Sequence, residues 1–289
     1  MARELSKVQL IERSIIKKYR KEIWNPFIEG VKNYALVNEG DKIAVCISGG
    51  KDSMLMAKLL QQLQRVSETS FELVYLVMDP GYNEVNRRKI ESNAALLQIP
   101  ITVFESNIFA VTDSVGGSPC YLCARMRRGH LYAKAKELGC NKIALGHHFS
   151  DVIETTLLGM FYGSQLQAML PKLHSTNFEG MELIRPMYCI HEEAILSWVR
   201  YNDLEFIQCA CRFVDDYTHT ADGIGASKRR EIKQLIKDMK KVNPDVERNI
   251  FKSLHSVCLD TMPGYKQGGE YHSFLEAFNK AKGEENETL

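Results

Sequence analysis

Two groups of residues are typed and spaced for chemistry. The first is the run Ser48, Gly49, Gly50, Lys51, Asp52, Ser53. Adjacent glycines let the backbone turn tightly and approach an anion closely. A helix starting just beyond them would add unpaired N–H groups and a positive dipole end. Ser48, Lys51 and Ser53 contribute further donors and a charge, while Asp52 sits comfortably beside phosphate only with a cation between them, which implies Mg²⁺. The spacing is neither GxxxxGK[ST] nor GxGxxG. A plain strand-to-helix turn is the competing reading. The full set of six residues in that context favours binding of nucleotide phosphate.

The second group is cysteine. Cys120 and Cys123 form a CxxC, and Cys209 and Cys211 form a CxC. Thiolates at such spacing can turn toward one ion or cluster, so zinc, a redox dithiol and an iron–sulfur cluster all stay open. Cys46, Cys140, Cys189 and Cys258 stand alone and read as small hydrophobic residues.

The elements that must position these groups follow from patterning. Residues 4–23 read as an amphipathic helix with Val8, Ile11, Ile15 and Tyr19 at helical spacing, and Pro26 marks a break or a fresh start. Strands are expected at 43–47, 71–79, 101–105 and 142–148. Helices are expected after the glycine turn, over 83–98, in the later part of the segment after Cys120, and from Ser150 as N-cap. Strand and helix thus alternate with short connections. That pattern predicts an α/β fold, a parallel sheet with helices on both faces, flanked by an N-terminal helix and C-terminal helices over 227–242 and 244–257. The expected division is 1–35 helical, 36–205 α/β, 206–262 cysteine-bearing and basic, and 263–289 a tail.

Gly-His-His at 146–148 ends the fourth expected strand, on the same sheet edge as the glycine turn. Gly146 would admit a nucleotide closely, and Asp151 joins Asp52 as a candidate for Mg²⁺ or for orienting substrate. His147 and His148 are either chemical or hydrogen-bonded structure. Arg125, Arg127 and Arg128 suit the phosphates of a large polyanion, or solvent. Residues 227–252 hold nine basic and four acidic side chains, which favours an RNA-contacting surface over a merely solvated face.

A net charge of +1 announces no nucleic-acid binder by itself. No apolar run approaches the ~18 residues of a membrane span, and the first residues do not resemble a secretory signal, so a cytoplasmic, reducing setting is expected. Disorder and a small disulfide scaffold are excluded by a 45% hydrophobic composition over 289 residues.

The run 48–53 resembles the PP-loop of the ATP-pyrophosphatase superfamily, whose members cleave ATP between the α and β phosphates and adenylate a substrate. Residues 120–163, with CxxC, an arginine pair, Gly-His-His and Met-Phe-Tyr-Gly, are similar to the central block of the TtcA-type tRNA 2-thiocytidine synthetases, and Leu-Pro-Lys-Leu (170–173) and Ile-Arg-Pro-Met (184–187) continue the similarity. The resemblance covers roughly residues 30–257. It implies that Ser48 to Ser53 hold the pyrophosphate end of ATP and that backbone near Val77 and Met78 holds adenine. It implies a 4Fe-4S cluster on three cysteines, Cys120, Cys123 and one of the later pair. That pair is CxxC in the family and CxC here, so Cys211, which aligns with its second member, leads over Cys209. Ser150 stands where the family usually has Asp, and Asp151 keeps the next acidic position. The implied activity is thiolation of an anticodon-loop cytidine, at position 32, with tRNA and a cysteine desulfurase or other sulfide donor as partners and a homodimer as the assembly. A tRNA 2-thiouridine synthetase of the same superfamily and a zinc-stabilised ATP-binding module are the alternatives.

Overall fold

The computed structural model describes residues 5–106, 119–207, 224–276, 278 and 279, with backbone alone for 119–125 and 224–227. The chain divides into two compact units, Met1–Gln234 and Leu235–Leu289.

The first unit opens with α1 (Lys7–Ile16), started by a capping box in which the side chains of Ser6 and Gln9 accept each other's backbone N–H. The expected single helix over 4–23 stops at Ile16. Tyr19 turns into the core there, its hydroxyl donating to Ser197 O at 2.9 Å, and a π-helical turn follows over Arg20–Trp24. Pro26 does mark a fresh start, in the first turn of α2 (Asn25–Asn33), where its missing N–H leaves no bond unmade.

Then come β1 (Lys42–Ile47), α3 (Lys51–Val66), β2 (Glu72–Asp79), α4 (Glu84–Leu96), β3 (Ile101–Glu105), α5 (Pro119–Glu137), β4 (Lys142–Ala144) and α6 (Phe149–Gly163). Two strands of three residues each, β5 (Lys172–His174) and β6 (Glu182–Ile184), precede α7 (Glu192–Tyr201) and α8 (Ile224–Val242). Such short strands carry too little alternation to be read from sequence. The sheet order is β3-β2-β1-β4-β6-β5, parallel throughout except for β5, which runs antiparallel to β6 at the edge.

Helices cover both faces. Ile43, Val45 and Ile47 of β1 enter one core with α3, α4, α7 and the N-terminal helices, whereas Ala44 and Cys46 enter the other with Tyr132 and Ala135 of α5. Each fully buried Ile stabilises by about 1.5–3 kcal/mol. Two buried lysines fasten the periphery to this sheet. Lys142 Nζ donates to Asp41 Oδ2 (2.6 Å) and Leu36 O (3.1 Å), and Lys58 Nζ donates to Glu12 Oε1 (2.6 Å) and Leu97 O (2.8 Å). Their ammonium groups stay tolerable inside because each is both ion-paired and hydrogen-bonded.

The second unit contains α9 (Val246–Ser253) and a hairpin, β7 (Gly264–Gln267) and β8 (Glu270–Ser273). Its turn is Gly268–Gly269, both at positive φ (60° and 92°), the dihedrals that a tight hairpin turn demands. This hairpin lies within 263–289, the stretch expected to be a tail.

Candidate active site

The chain builds β1, β2 and β3 outward on one side and then places β4 on the other side of β1. Loops leaving β1 and β4 therefore diverge, and a crevice opens at the carboxyl ends of the strands. There lies a cavity of about 290 Å³, lined by Ser48, Asp52 and Ser53 of the glycine turn, Met78 and Tyr82 at the end of β2, and Gly146, His147 and Asp151 after β4. Arg127 and Leu131 of α5 close another side.

The two glycines of the turn do different work. Gly49 has φ +85°, and a Cβ there would come within 2.5 Å of Ile90 Cγ1, so both conformation and space require glycine. Gly50 has an ordinary φ of −79° and is the N-cap of α3, with no side chain capping the first-turn N–H groups. Those groups remain open for an anion. Ser53 braces the turn: its Oγ accepts from Ser48 N–H at 3.1 Å and donates to Gly50 O at 3.0 Å.

Lys51 Nζ donates to both Asp52 oxygens at 3.0 Å and to Glu192 Oε1, at the start of α7, at 3.2 Å. Burial works against its ammonium, but the two carboxylates outweigh it, and its pKa lies above the ordinary value. Glu192 also accepts from Lys233 Nζ at 2.9 Å. Burial alone would raise the Glu192 carboxyl; the hydrogen bond from Lys233 and the charge of Lys51 instead hold its pKa at about 2.

β4 is shorter than expected and ends at Ala144. Gly146 leaves the sheet to lie on the first turn of α3, where a Cβ would sit 3.2 Å from Ser53 N and 3.3 Å from Asp52 C. Its glycine thus permits contact between two loops of the site, besides lining the cavity. The N-cap of α6 is His148, not Ser150: His148 Nδ1 accepts Asp151 N–H (3.4 Å), and the Asp151 carboxylate accepts His148 N–H (3.1 Å). An accepting Nδ1 puts the proton of a neutral ring on Nε2, which lies 3.8 Å from Asp52 Oδ1. His148 is therefore a buried wedge between the two carboxylates proposed for Mg²⁺. Ser150 Oγ accepts Glu192 N–H at 3.2 Å and so fixes the start of α7.

His147 lines the cavity, and its Nδ1 has no hydrogen-bond partner among the described residues. Burial, then the nearby charge of Arg185, press its pKa down to about 4, so the ring is neutral at physiological pH. Arg185 is itself buried and donates to Leu170 O, while Tyr188 donates to Met169 O at 2.9 Å. The Leu-Pro-Lys-Leu and Ile-Arg-Pro-Met segments are thereby braced against each other. Asp79, at the end of β2, accepts Gly81 N–H (2.8 Å) and Tyr82 N–H (2.7 Å) and holds the turn beside Met78.

Arg229 and Lys233, from the basic stretch of α8, are engaged rather than free. Arg229 lies 3.7 Å from Asp151 and 3.5 Å from Glu154, and Lys233 lies 3.6 Å from Glu154. Glu154 is buried, and burial outweighs both cations, raising its pKa to about 7. Glu154 and Glu192 were not singled out from sequence; Glu192 meets Lys51 across 141 residues, beyond any local spacing signal.

Cys120 and Cys123 are the second and fifth residues of α5. Position 123 precedes Arg127 by four residues and Leu131 by eight, on one helical stripe. Cys209 and Cys211 lie outside the described residues. Cys46 and Cys140 are buried as expected, and Cys258 is exposed instead.

Fold and loop together define a PP-loop domain, and the model of that family matches residues 16–220. The tRNA-cytidine(32) 2-sulfurtransferase of Geobacter sulfurreducens is 35% identical over 240 residues, covering 82% of this chain and 90% of the relative. Its counterpart from Alcanivorax borkumensis is 31% identical and spans 93% and 96% of the two chains. The chain belongs to the tRNA-cytidine(32) 2-sulfurtransferase family of PP-loop proteins. Among solved structures, the U34-tRNA thiolase NcsA from Methanococcus maripaludis, determined with its 4Fe-4S cluster, shares the fold with a TM-score of 0.63 at 19% identity, covering 84% of this chain and 80% of that one. No helix among the described residues is long and apolar enough to cross a membrane.

Proposed function

We propose that this chain thiolates cytidine 32 of tRNA in an ATP-dependent reaction, converting it to 2-thiocytidine. The observation that carries the reading is the single cavity that gathers Ser48, Asp52, Ser53, Met78, Gly146 and Asp151 beside the helix bearing Cys120 and Cys123.

The C2 oxygen of cytosine is a poor leaving group. Its attack on the α-phosphate of ATP forms a new O–P bond, breaks the bond to the β-phosphate and releases pyrophosphate. Sulfur at the level of sulfide then bonds to C2, and AMP departs with the former C2 oxygen, so no external reductant is needed. Lys51 and the open N–H groups of α3 stabilise the charge gathering on the departing pyrophosphate. Asp52 and Asp151 would hold Mg²⁺, and backbone at Val77 and Met78 would hold adenine. The neutral His147 ring offers a hydrogen-bonding nitrogen to the cavity without adding charge. The target base must be splayed from the anticodon loop to enter, which costs least in single-stranded RNA.

The all-thiolate donor set suits an iron–sulfur cluster. Cys120, Cys123 and Cys211 would hold a 4Fe-4S cluster, with Cys209 the competing third ligand, and the group would supply an iron with an open position for the incoming sulfur. A cysteine desulfurase or another sulfide source as donor, a homodimer as assembly and the cytoplasm as location complete the reading.

The test is nucleoside mass spectrometry of tRNA after anaerobic incubation with reconstituted protein, ATP, Mg²⁺ and sulfide. An ATP-dependent 2-thiocytidine peak is expected. A 2-thiouridine peak would move the substrate, and no thionucleoside with cluster present would overturn the reading.

A further inference from the structure

A second cavity, of about 500 Å³, lies between α1 and the end of α7. Its rim carries Lys7, Arg13, Lys17 and Lys18, all exposed, and none of them has an ion-pair partner among the described residues. Its floor is built rather than incidental. The buried Ser14 Oγ accepts from Trp198 Nε1 and from Asn202 Nδ2, each at 3.1 Å, and donates to Ile11 O at 2.6 Å. Lys18 Nζ stands 3.8 Å above the ring of Tyr201, whose exposed face fixes the ammonium over the groove.

The sign of this groove comes from a segregation of charge. The acid of α1, Glu12, is turned to the opposite side of the helix, where Lys58 (2.6 Å) and Arg65 (2.9 Å) hold it. Four cations are left together in a protein whose net charge is only +1. Lys17 and Lys18 also face the negative end of the α1 dipole, which favours cations there. That accounts for basic residues in a last turn. It accounts for Arg13, in the last turn itself, in the same way, but not for Lys7 at the same rim.

We propose that this groove is a docking site for the phosphodiester backbone of the substrate RNA, separate from the cavity where chemistry occurs; the proposal rests on the tRNA reading above. α7 links the two places: Glu192 at its start holds Lys51, and Tyr201 at its end lies on the groove. The ten residues of α7 span about 14 Å, a distance within the length of a short RNA stem. One RNA arm can therefore touch the groove while its loop reaches the cavity. Phosphate contacts of this kind set register and orientation and read no bases.

The test compares binding of full-length tRNA to the whole protein at several salt concentrations for wild type and for K7Q/R13Q/K17Q/K18Q. Each phosphate contact contributes roughly 0.7–0.9 to the slope of log K against log salt. The quadruple variant is expected to flatten that slope by about 3–4 and to lose affinity most at low salt, whereas K7R/K17R/K18R keeps the wild-type slope. Should the quadruple variant fail to unfold cooperatively, the pairs K7Q/K17Q and R13Q/K18Q are each expected to show about half the change. Unchanged affinity and slope, in a protein whose wild type thiolates tRNA, would overturn the groove alone. Wild-type protein that neither binds nor thiolates tRNA would overturn the functional reading, and the groove with it. Loss of binding to vesicles of anionic phospholipid, with tRNA affinity intact, would reassign the groove to a lipid surface.

Discussion

Lys51 Nζ is held at 3.0 Å by both oxygens of Asp52 and at 3.2 Å by Glu192, so the cation of the phosphate loop is fully engaged by carboxylates. An incoming triphosphate must take over at least one of these contacts. Glu192 can release Lys51 at small cost because Lys233 still holds it at 2.9 Å. Lys51→Met is expected to lower the rate of tRNA-dependent pyrophosphate release about 10²–10³-fold, the usual effect of removing one charged donor from a developing anion. Lys51→Arg should recover part of that rate, since charge returns but the reach differs. A Lys51→Met rate within threefold of wild type would remove the lysine from the chemistry.

Buried Glu154 and half-buried Glu192 both lie near Lys233, yet they titrate in opposite directions. Hydrogen bonding decides: Lys233 donates to Glu192 at 2.9 Å, but it and Arg229 reach Glu154 only at 3.5–3.6 Å. The folded pKa of Glu192 falls from 4.5 to about 2, so its contribution to stability is present above 4.5 and is lost as pH falls toward 2. That of Glu154 rises from 4.5 to about 7, so its contribution is present below 4.5 and is lost as pH rises through 7. Glu154→Gln is therefore expected to gain stability relative to wild type between pH 5 and 8, whereas Glu192→Gln loses stability at neutral pH and converges on wild type near pH 2. Urea midpoints across pH check both, and parallel curves for either variant would contradict its assignment.

Gly146→Ala places a Cβ 3.2 Å from Ser53 N and 3.3 Å from Asp52 C, both backbone atoms that cannot swing aside. The loop after β4 must then back away from the start of α3 by a few tenths of an ångström. The expected result is a fall in kcat/KM for ATP of about tenfold or more, because small displacements of positioned groups are costly. The global unfolding midpoint should move little. Unaltered kinetics would show that the two loops tolerate separation.

The glycine turn, the sheet that carries it and the helices on both faces were legible because their signals are local: an apolar run, two glycines, then helical spacing. Asp151 and Gly146 were legible for the same reason. What sequence could not reveal was pairing across the chain. Glu192 reaches Lys51 only because Ser150 caps its N–H and α7 packs beside the loop. His148 took the cap that hydroxyl preference assigned to Ser150, since an imidazole Nδ1 can accept the same N–H. The charge run at 227–252 read as one basic surface, but Arg229 and Lys233 turn their charges onto buried Glu154 and half-buried Glu192. The neighbourhood of Lys7 and Lys18 looked like an ordinary amphipathic helix because its acid, Glu12, is removed from the groove only by packing against Lys58.

The later cysteine pair offers the sharpest test of the sulfur chemistry. Cys209 and Cys211 are one residue closer together than the family spacing, and Cys211, which aligns with the second member of the family pair, is the proposed third ligand. Cys120→Ala, Cys123→Ala and Cys211→Ala are each expected to lose iron, acid-labile sulfide and 2-thiocytidine formation together, while keeping ATP binding at the loop. Cys209→Ala is expected to retain iron and most of the activity. The reverse outcome for the later pair would shift the third ligand to Cys209. Zinc without labile sulfide in the wild-type protein would replace the cluster by a tetrahedral thiolate site, since four cysteines satisfy that ion equally well. Metal content and labile sulfide, measured on anaerobically purified protein, separate these outcomes before any activity is assayed.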